Sequence, residues 1–179
     1  MHSRYSSTRD FMEKLKPIDY AILSALMKNS KISDRQLAKQ IGVSQPTVTR
    51  RRARLEKEKL LDYTAIPNLA KLGFEIMALT FATSKKPGVP EEQIPKAKSF
   101  FEKRDDVIFV STGSGLERDR VNVSLHKSYS DYVEFVRALE KEWGGSMENR
   151  TSFIVSLKSD TIIRYPTFKH LGDYIKANP

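Results

Sequence analysis

From Ile18 onward the apolar positions fall at helical spacing: Ile18, Ile22, Leu23, Ala25 and Leu26 form one stripe, and Asn29-Ser30 ends it. A second helix opens at Ser33, a good N-cap, with Gln36 placed to complete a capping box and Ile32 placed to staple onto Leu37. Leu37, Ala38 and Ile41 point inward, and Gly42 follows where a left-handed backbone is needed. Two residues later a third helix is announced by Ser44 as cap, Pro46 in the first turn and Val43 opposite Val48. It is predicted to run from Gln45 to Glu58.

Two helices joined by a tight glycine turn make a helix-turn-helix plan. On the third helix Val48 and Leu55 share one side, while Thr47, Arg50, Arg51 and Arg54 recur at i, i+3, i+4 and i+7. An arginine stripe beside an apolar seam suits a helix that reads the DNA major groove. Leu60–Ile66 is predicted as a wing strand and 66–73 as a linker.

Beyond the linker the period changes. Strands are predicted at Phe74–Thr83, Val107–Thr112, Arg120–His126 and Thr151–Leu157, from alternating or β-branched runs. Helices are predicted at Glu91–Arg104, with Ile94, Ala97, Phe100 and Phe101 inward, and at Asp131–Trp143, capped by Ser130. Gly113–Gly115 and Glu117–Asp119 are predicted to form the turn between the second and third strands. The order βαββαβ is that of a ferredoxin-like fold. Thr161–Arg164 is predicted to extend the sheet, and Phe168–Lys176 to form a terminal helix. The class is therefore α+β, divided into an arm (1–16), a winged helix-turn-helix (17–65), a linker (66–73) and a ferredoxin-like domain (74–179).

Charge sharpens this division. The 179 residues carry a net charge of +9, and residues 1–65 hold 14 Lys/Arg against 7 Asp/Glu. The remaining residues are nearly balanced, with 17 against 15. A polyanionic partner, double-stranded DNA, is thus expected at the first domain. Absence of cysteine excludes disulfides, thiolate metal sites and cysteine nucleophiles. No apolar run reaches the roughly 18 residues of a membrane span, and the start lacks a signal-peptide core, so a cytoplasmic protein without a membrane partner is expected. His2, His126 and His170 show no metal-binding spacing, no phosphate-loop or serine-hydrolase motif occurs, and Asp105-Asp106 is expected to be solvated. No catalytic residue, metal or cofactor is assigned.

The segments Leu15–Leu23, Ser33–Ala38, Ile41–Ser44, Thr47–Arg51 and Arg54–Glu56 together resemble the Lrp/AsnC (feast/famine) family of transcriptional regulators. The resemblance implies a homodimer or higher homo-oligomer built through the second domain, and in many members an amino-acid effector. It also sets three departures in relief, one of them a short wing and a longer hairpin at Gly113–Asp119. Arg52 stands where a branched apolar residue is usual, so it must snorkel out or pair. Lys59 replaces the usual helix-ending glycine, at a cost of about 1 kcal/mol if the backbone there is left-handed.

For base and groove contact the candidates are Thr47, Arg50, Arg51 and Arg54, with Gln45 and Thr49 near the helix start; Ser33 and Arg35 are phosphate candidates. Backbone amides of Gly113, Ser114 and Gly115 are candidates for an effector carboxylate and Asp119 for its amino group, against the plainer reading of a hairpin turn. Two other functions fit parts of the sequence: a weakly specific architectural DNA-binding protein, and a haem-pathway decarboxylase of AsnC-like fold. The arginine-rich helix disfavours the second.

Overall fold

The computed structural model describes residues 15–85 and 93–178. Nearly all of the expected arm and the start of the helix predicted at Glu91 lie outside them. Two compact units form, one from residues up to Ile66 together with Arg164–Pro179, the other from Pro67–Ile163.

The first unit contains α1 (Pro17–Lys28), α2 (Asp34–Ile41) and α3 (Gln45–Lys57). The predicted caps are present. Ser33 N donates to Gln36 Oε1 at 3.2 Å while Gln36 N donates to Ser33 Oγ, and Ser44 Oγ accepts from Thr47 N. Gly42 is left-handed, with φ of 81°. Ile22, Ala25, Leu26, Leu37, Ala38, Val48 and Leu55 form a buried aliphatic core flanked by Ile18, Ile32, Val43 and Leu61. Lys59 adopts φ of 56°, the strained conformation anticipated for it.

The second unit contains β1 (Ile76–Ser84), α4 (Gln93–Phe101), β2 (Val107–Gly115), β3 (Arg118–His126), α5 (Tyr129–Trp143) and β4 (Met147–Ser156). The sheet is antiparallel in the order β2-β3-β1-β4, the ferredoxin-like arrangement. Its core joins Phe135, Leu139 and Trp143 of α5 to Ala97, Phe100 and Phe101 of α4, with Ile76, Ala78 and Tyr132 alongside. Alternation sends Met77, Leu79 and Phe81 of β1 to the opposite face, where their partners are Val121, Val123 and Leu125 of β3 and Phe153 and Val155 of β4.

Five expectations are corrected. Leu60–Ile66 forms no strand, because a strand needs a hydrogen-bonded neighbour and none is supplied among the described residues. Gly113–Gly115 belong to β2, and the hairpin turns one step later on Leu116 and Glu117, both left-handed at φ of 51° and 56°. The cap of α5 is Ser128, which accepts from Asp131 N, not Ser130. Thr161–Arg164 adds no strand. The terminal helix α6 (Leu171–Ala177) leaves the domain assigned to 74–179 and packs on α1 in the first unit. Gly172 makes this close approach possible: a Cβ there would lie 2.8 Å from the Ser24 carbonyl oxygen.

Candidate nucleic-acid interface

At about 100° per residue, Arg51 and Arg52 lie about 50° to either side of the Val48/Leu55 seam of α3, and Arg50 lies about 150° from it. Chemistry follows this angle. Arg51 Nη1 donates to both oxygens of Asp19, at 2.9 and 3.0 Å. Asp19 is 1% exposed and also accepts from Lys16 N at the start of α1. Arg51 is therefore withdrawn from the groove-reading set: it is committed to an ion pair between α3 and α1, and the seam's neighbourhood draws it inward.

Arg52 resolves its predicted conflict by pairing. It donates to Asp34 Oδ1 at 3.1 Å, to Glu56 and to the Tyr63 hydroxyl, and its guanidinium stands over the Tyr63 ring. Burial and the hydrogen bond to Glu56 push the Tyr63 phenol up to about 12, so it remains a protonated donor. Thr49 Oγ1 donates to Asp34 Oδ2 at 2.7 Å, so its hydroxyl is committed internally too.

Gln45 and Arg50 are exposed on α3, as is Arg35 on α2; among the described residues none makes a side-chain hydrogen bond or ion pair. Arg54 is partly held, with Nε on Glu58 Oε1 at 3.0 Å. Thr47 Oγ1 is hydrogen-bonded to Ser44 Oγ, and the Ser33 hydroxyl serves the α2 cap. The basic and amide side chains left open for a polyanion are thus Arg50 and Gln45 on α3 and Arg35 on α2, with Arg54 partly so.

The candidate effector residues lie at the hairpin end of the other unit. Gly113 and Ser114 occupy a bulge, since Thr112 pairs with Arg120 and Gly115 with Arg118. Asp119 Oδ1 accepts from Ser84 N at 2.9 Å and its carboxylate pairs with Arg120, so it serves the hairpin instead of standing free for an amino group.

Residues 17–56 match the model of the AsnC-type helix-turn-helix domain. The transcriptional regulator Ptr1 of Methanocaldococcus jannaschii is 31% identical over 120 residues, covering 66% of this chain and 77% of Ptr1. The chain belongs to the Lrp/AsnC family of transcriptional regulators. In fold it is similar to E. coli AsnC (TM-score 0.64, 21% identity, 85% of this chain and 97% of that one). It is similar also to a Neisseria meningitidis transcriptional regulator in complex with L-Met (TM-score 0.72, 17% identity, 88% and 99%).

This Lrp/AsnC regulator is a DNA-binding protein and not an enzyme. One constellation nevertheless looks catalytic: Ser124 Oγ lies 2.9 Å from His126 Nε2, and Asp106 Oδ2 lies 4.0 Å from His126 Nδ1. Ser124 and His126 are buried, so no substrate reaches them, and the second distance exceeds a hydrogen bond. Asp106 is half-buried and bound by Arg104, which corrects the solvated reading for that residue, whereas Asp105 is exposed as expected. Among the described residues no helix is long and apolar enough to cross a membrane.

Sequence reasoning missed Asp19 and Asp34. Both stand in the first turn of a helix, a position that dipole and capping arguments already explain. The available signal was the angular position of Arg51 and Arg52 beside the seam, which demands partners from the preceding helices.

Proposed function

We propose that this regulator binds duplex DNA sequence-specifically, with α3 in the major groove and Arg50 as the principal base-reading residue. The observation that carries the reading is Arg50 itself: an exposed arginine opposite the buried seam, with no partner among the described residues. A guanidinium so placed matches guanine O6 and N7 bidentately. Gln45, Thr47 and Arg54 flank it, and Arg35 with the Ser33 turn contacts phosphate.

The second unit serves assembly. Among the described residues its sheet face bearing Met77, Leu79, Phe81, Val123 and Phe153 carries no helix of its own unit, and Phe153 is 68% exposed. A face of this kind fits a second copy of the chain, giving a homodimer. An amino-acid effector is consistent with the L-Met complex of the Neisseria regulator. The Gly113–Gly115 bulge is its candidate contact, without Asp119. Calorimetry against an amino-acid panel reads it.

Selection from a random duplex pool tests the DNA reading. We expect an enriched palindrome, the signature of a two-fold assembly. Arg50→Ala should lose discrimination by about 1–3 kcal/mol at one base pair. Arg35→Ala should weaken all sequences alike and reduce the salt slope by about one. Equal loss on enriched and scrambled duplexes in the Arg50 variant sinks the base-reading role.

A further inference from the structure

We infer that Asp19 and Asp34 are positioning residues for DNA reading: together they fix the rotation of α3 about its own axis and so aim Arg50. The inference rests on the role proposed for Arg50.

Only Val48 and Leu55 of α3 are fully buried, and they lie in a single row. Apolar contact along one row is non-directional and resists rolling weakly. The two carboxylates supply the missing constraint from opposite sides of that row. Asp19, from the first turn of α1, holds Arg51 on one flank with two donor contacts. Asp34, from the first turn of α2, holds Arg52 and Thr49 on the other flank, one with each oxygen. Both carboxylates are partly or wholly withdrawn from water, with exposures of 1% and 22%. Asp19 is itself fixed by the Lys16 amide at 2.8 Å. A roll in either direction stretches one clamp or the other.

Rotation matters because the reading atoms lie far from the axis. Side-chain tips sit about 6 Å out, so a 20° roll moves them by about 2 Å. Functional contacts tolerate about 0.5 Å. The phosphate term is less demanding, since it depends on charge near the duplex more than on aligned donor pairs. Loss of a clamp should therefore cost discrimination before it costs general affinity.

The test measures affinity by fluorescence anisotropy for the duplex enriched from the random pool and for its scrambled counterpart. Variants are Asp19→Asn, Asp34→Ala and the control Arg50→Ala, each with its melting curve. Removing a carboxylate raises affinity for both duplexes alike, so the ratio of the two affinities is the readout. We expect that ratio to fall at least tenfold in Asp34→Ala and Asp19→Asn, well below their melting temperatures. A merely structural role would shift melting and leave the ratio within twofold, and that result in either folded variant overturns the inference. Asp34 is partly exposed, so Asp34→Ala decides alone if Asp19→Asn does not fold. If Arg50→Ala leaves the ratio intact, the Arg50 reading fails instead. A wild type that enriches no sequence removes both.

Discussion

The two units solve the same packing problem with different materials. Among the described residues the DNA-binding unit has an aliphatic core without a buried aromatic ring, and its helices are oriented by charged pairs such as Asp19–Arg51. The sheet unit is held by rings, with Phe100 edge-on to Trp143 at 6.0 Å and Phe135 wholly buried. The difference shows where each unit is vulnerable: one to a lost charge, the other to a lost volume.

The largest expected effects test that division directly. Phe135→Ala should cost about 4 kcal/mol through cavity formation. Arg51→Ala should cost about 3 kcal/mol, because Asp19 is left buried and unpaired. The Arg51 figure is held down by its own Nε, which is buried without a partner among the described residues. Asp19→Leu with Arg51→Met should recover all but about 1 kcal/mol, the residue being the lost cap on the Lys16 amide. Amide exchange at Ile22 and Leu26 against Ile76 and Ala78 reads each unit separately. A cost below 1 kcal/mol for Arg51→Ala would break the comparison.

The sheet unit also contains the buried imidazole of His126, tilted against Phe135 and edge-on to Tyr132. Burial lowers its pKa, partly countered by Asp106 and Asp131, with Arg104 adding to the lowering. The folded value therefore lies below the unfolded value of about 6.5. Between the two the unfolded chain binds more protons, so stability rises with pH. The contribution is complete above about pH 6.5 and is lost as pH falls toward the folded value. One such group gives a slope of at most about 1.4 kcal/mol per pH unit. Urea midpoints from pH 7.5 to 5 should fall more steeply for the wild type than for His126→Gln, and parallel curves would exclude His126 as the source.

What was legible in the sequence was local. Ser33, Gly42 and Ser44 specify the helix-turn-helix because each acts on backbone within a few residues. Alternation in β3 and the stripe on α5 likewise announce the ferredoxin-like order. What failed was long-range or compensated. Arg51 finds its partner 32 residues away, and its angle beside the seam calls for a partner without saying which residue supplies it. The terminal helix has the right pattern but its docking site depends on Gly172 meeting Ser24. Glycines mark a turn in the sequence because they reach positive φ without strain, but here Gly113–Gly115 belong to the strand and Leu116 and Glu117 take the positive φ.

Lys59 carries the same kind of strain in the DNA-binding unit, and it gives the smallest and sharpest test of that unit. Its N–H donates to Glu56 O at 3.0 Å and the following Leu60 N–H to Leu55 O at 2.9 Å, closing α3 through a left-handed residue. A lysine pays for that backbone with a steric contact between Cβ and its carbonyl oxygen, about 1 kcal/mol. Glycine has no Cβ but loses about 0.5–1 kcal/mol more entropy on folding, so the net gain from Lys59→Gly should be at most about 0.5 kcal/mol. Lys59→Ala keeps the Cβ and removes the charge, so it should gain nothing. If alanine stabilises as much as glycine, charge repulsion from the arginine-rich helix, not backbone strain, is what Lys59 contributes.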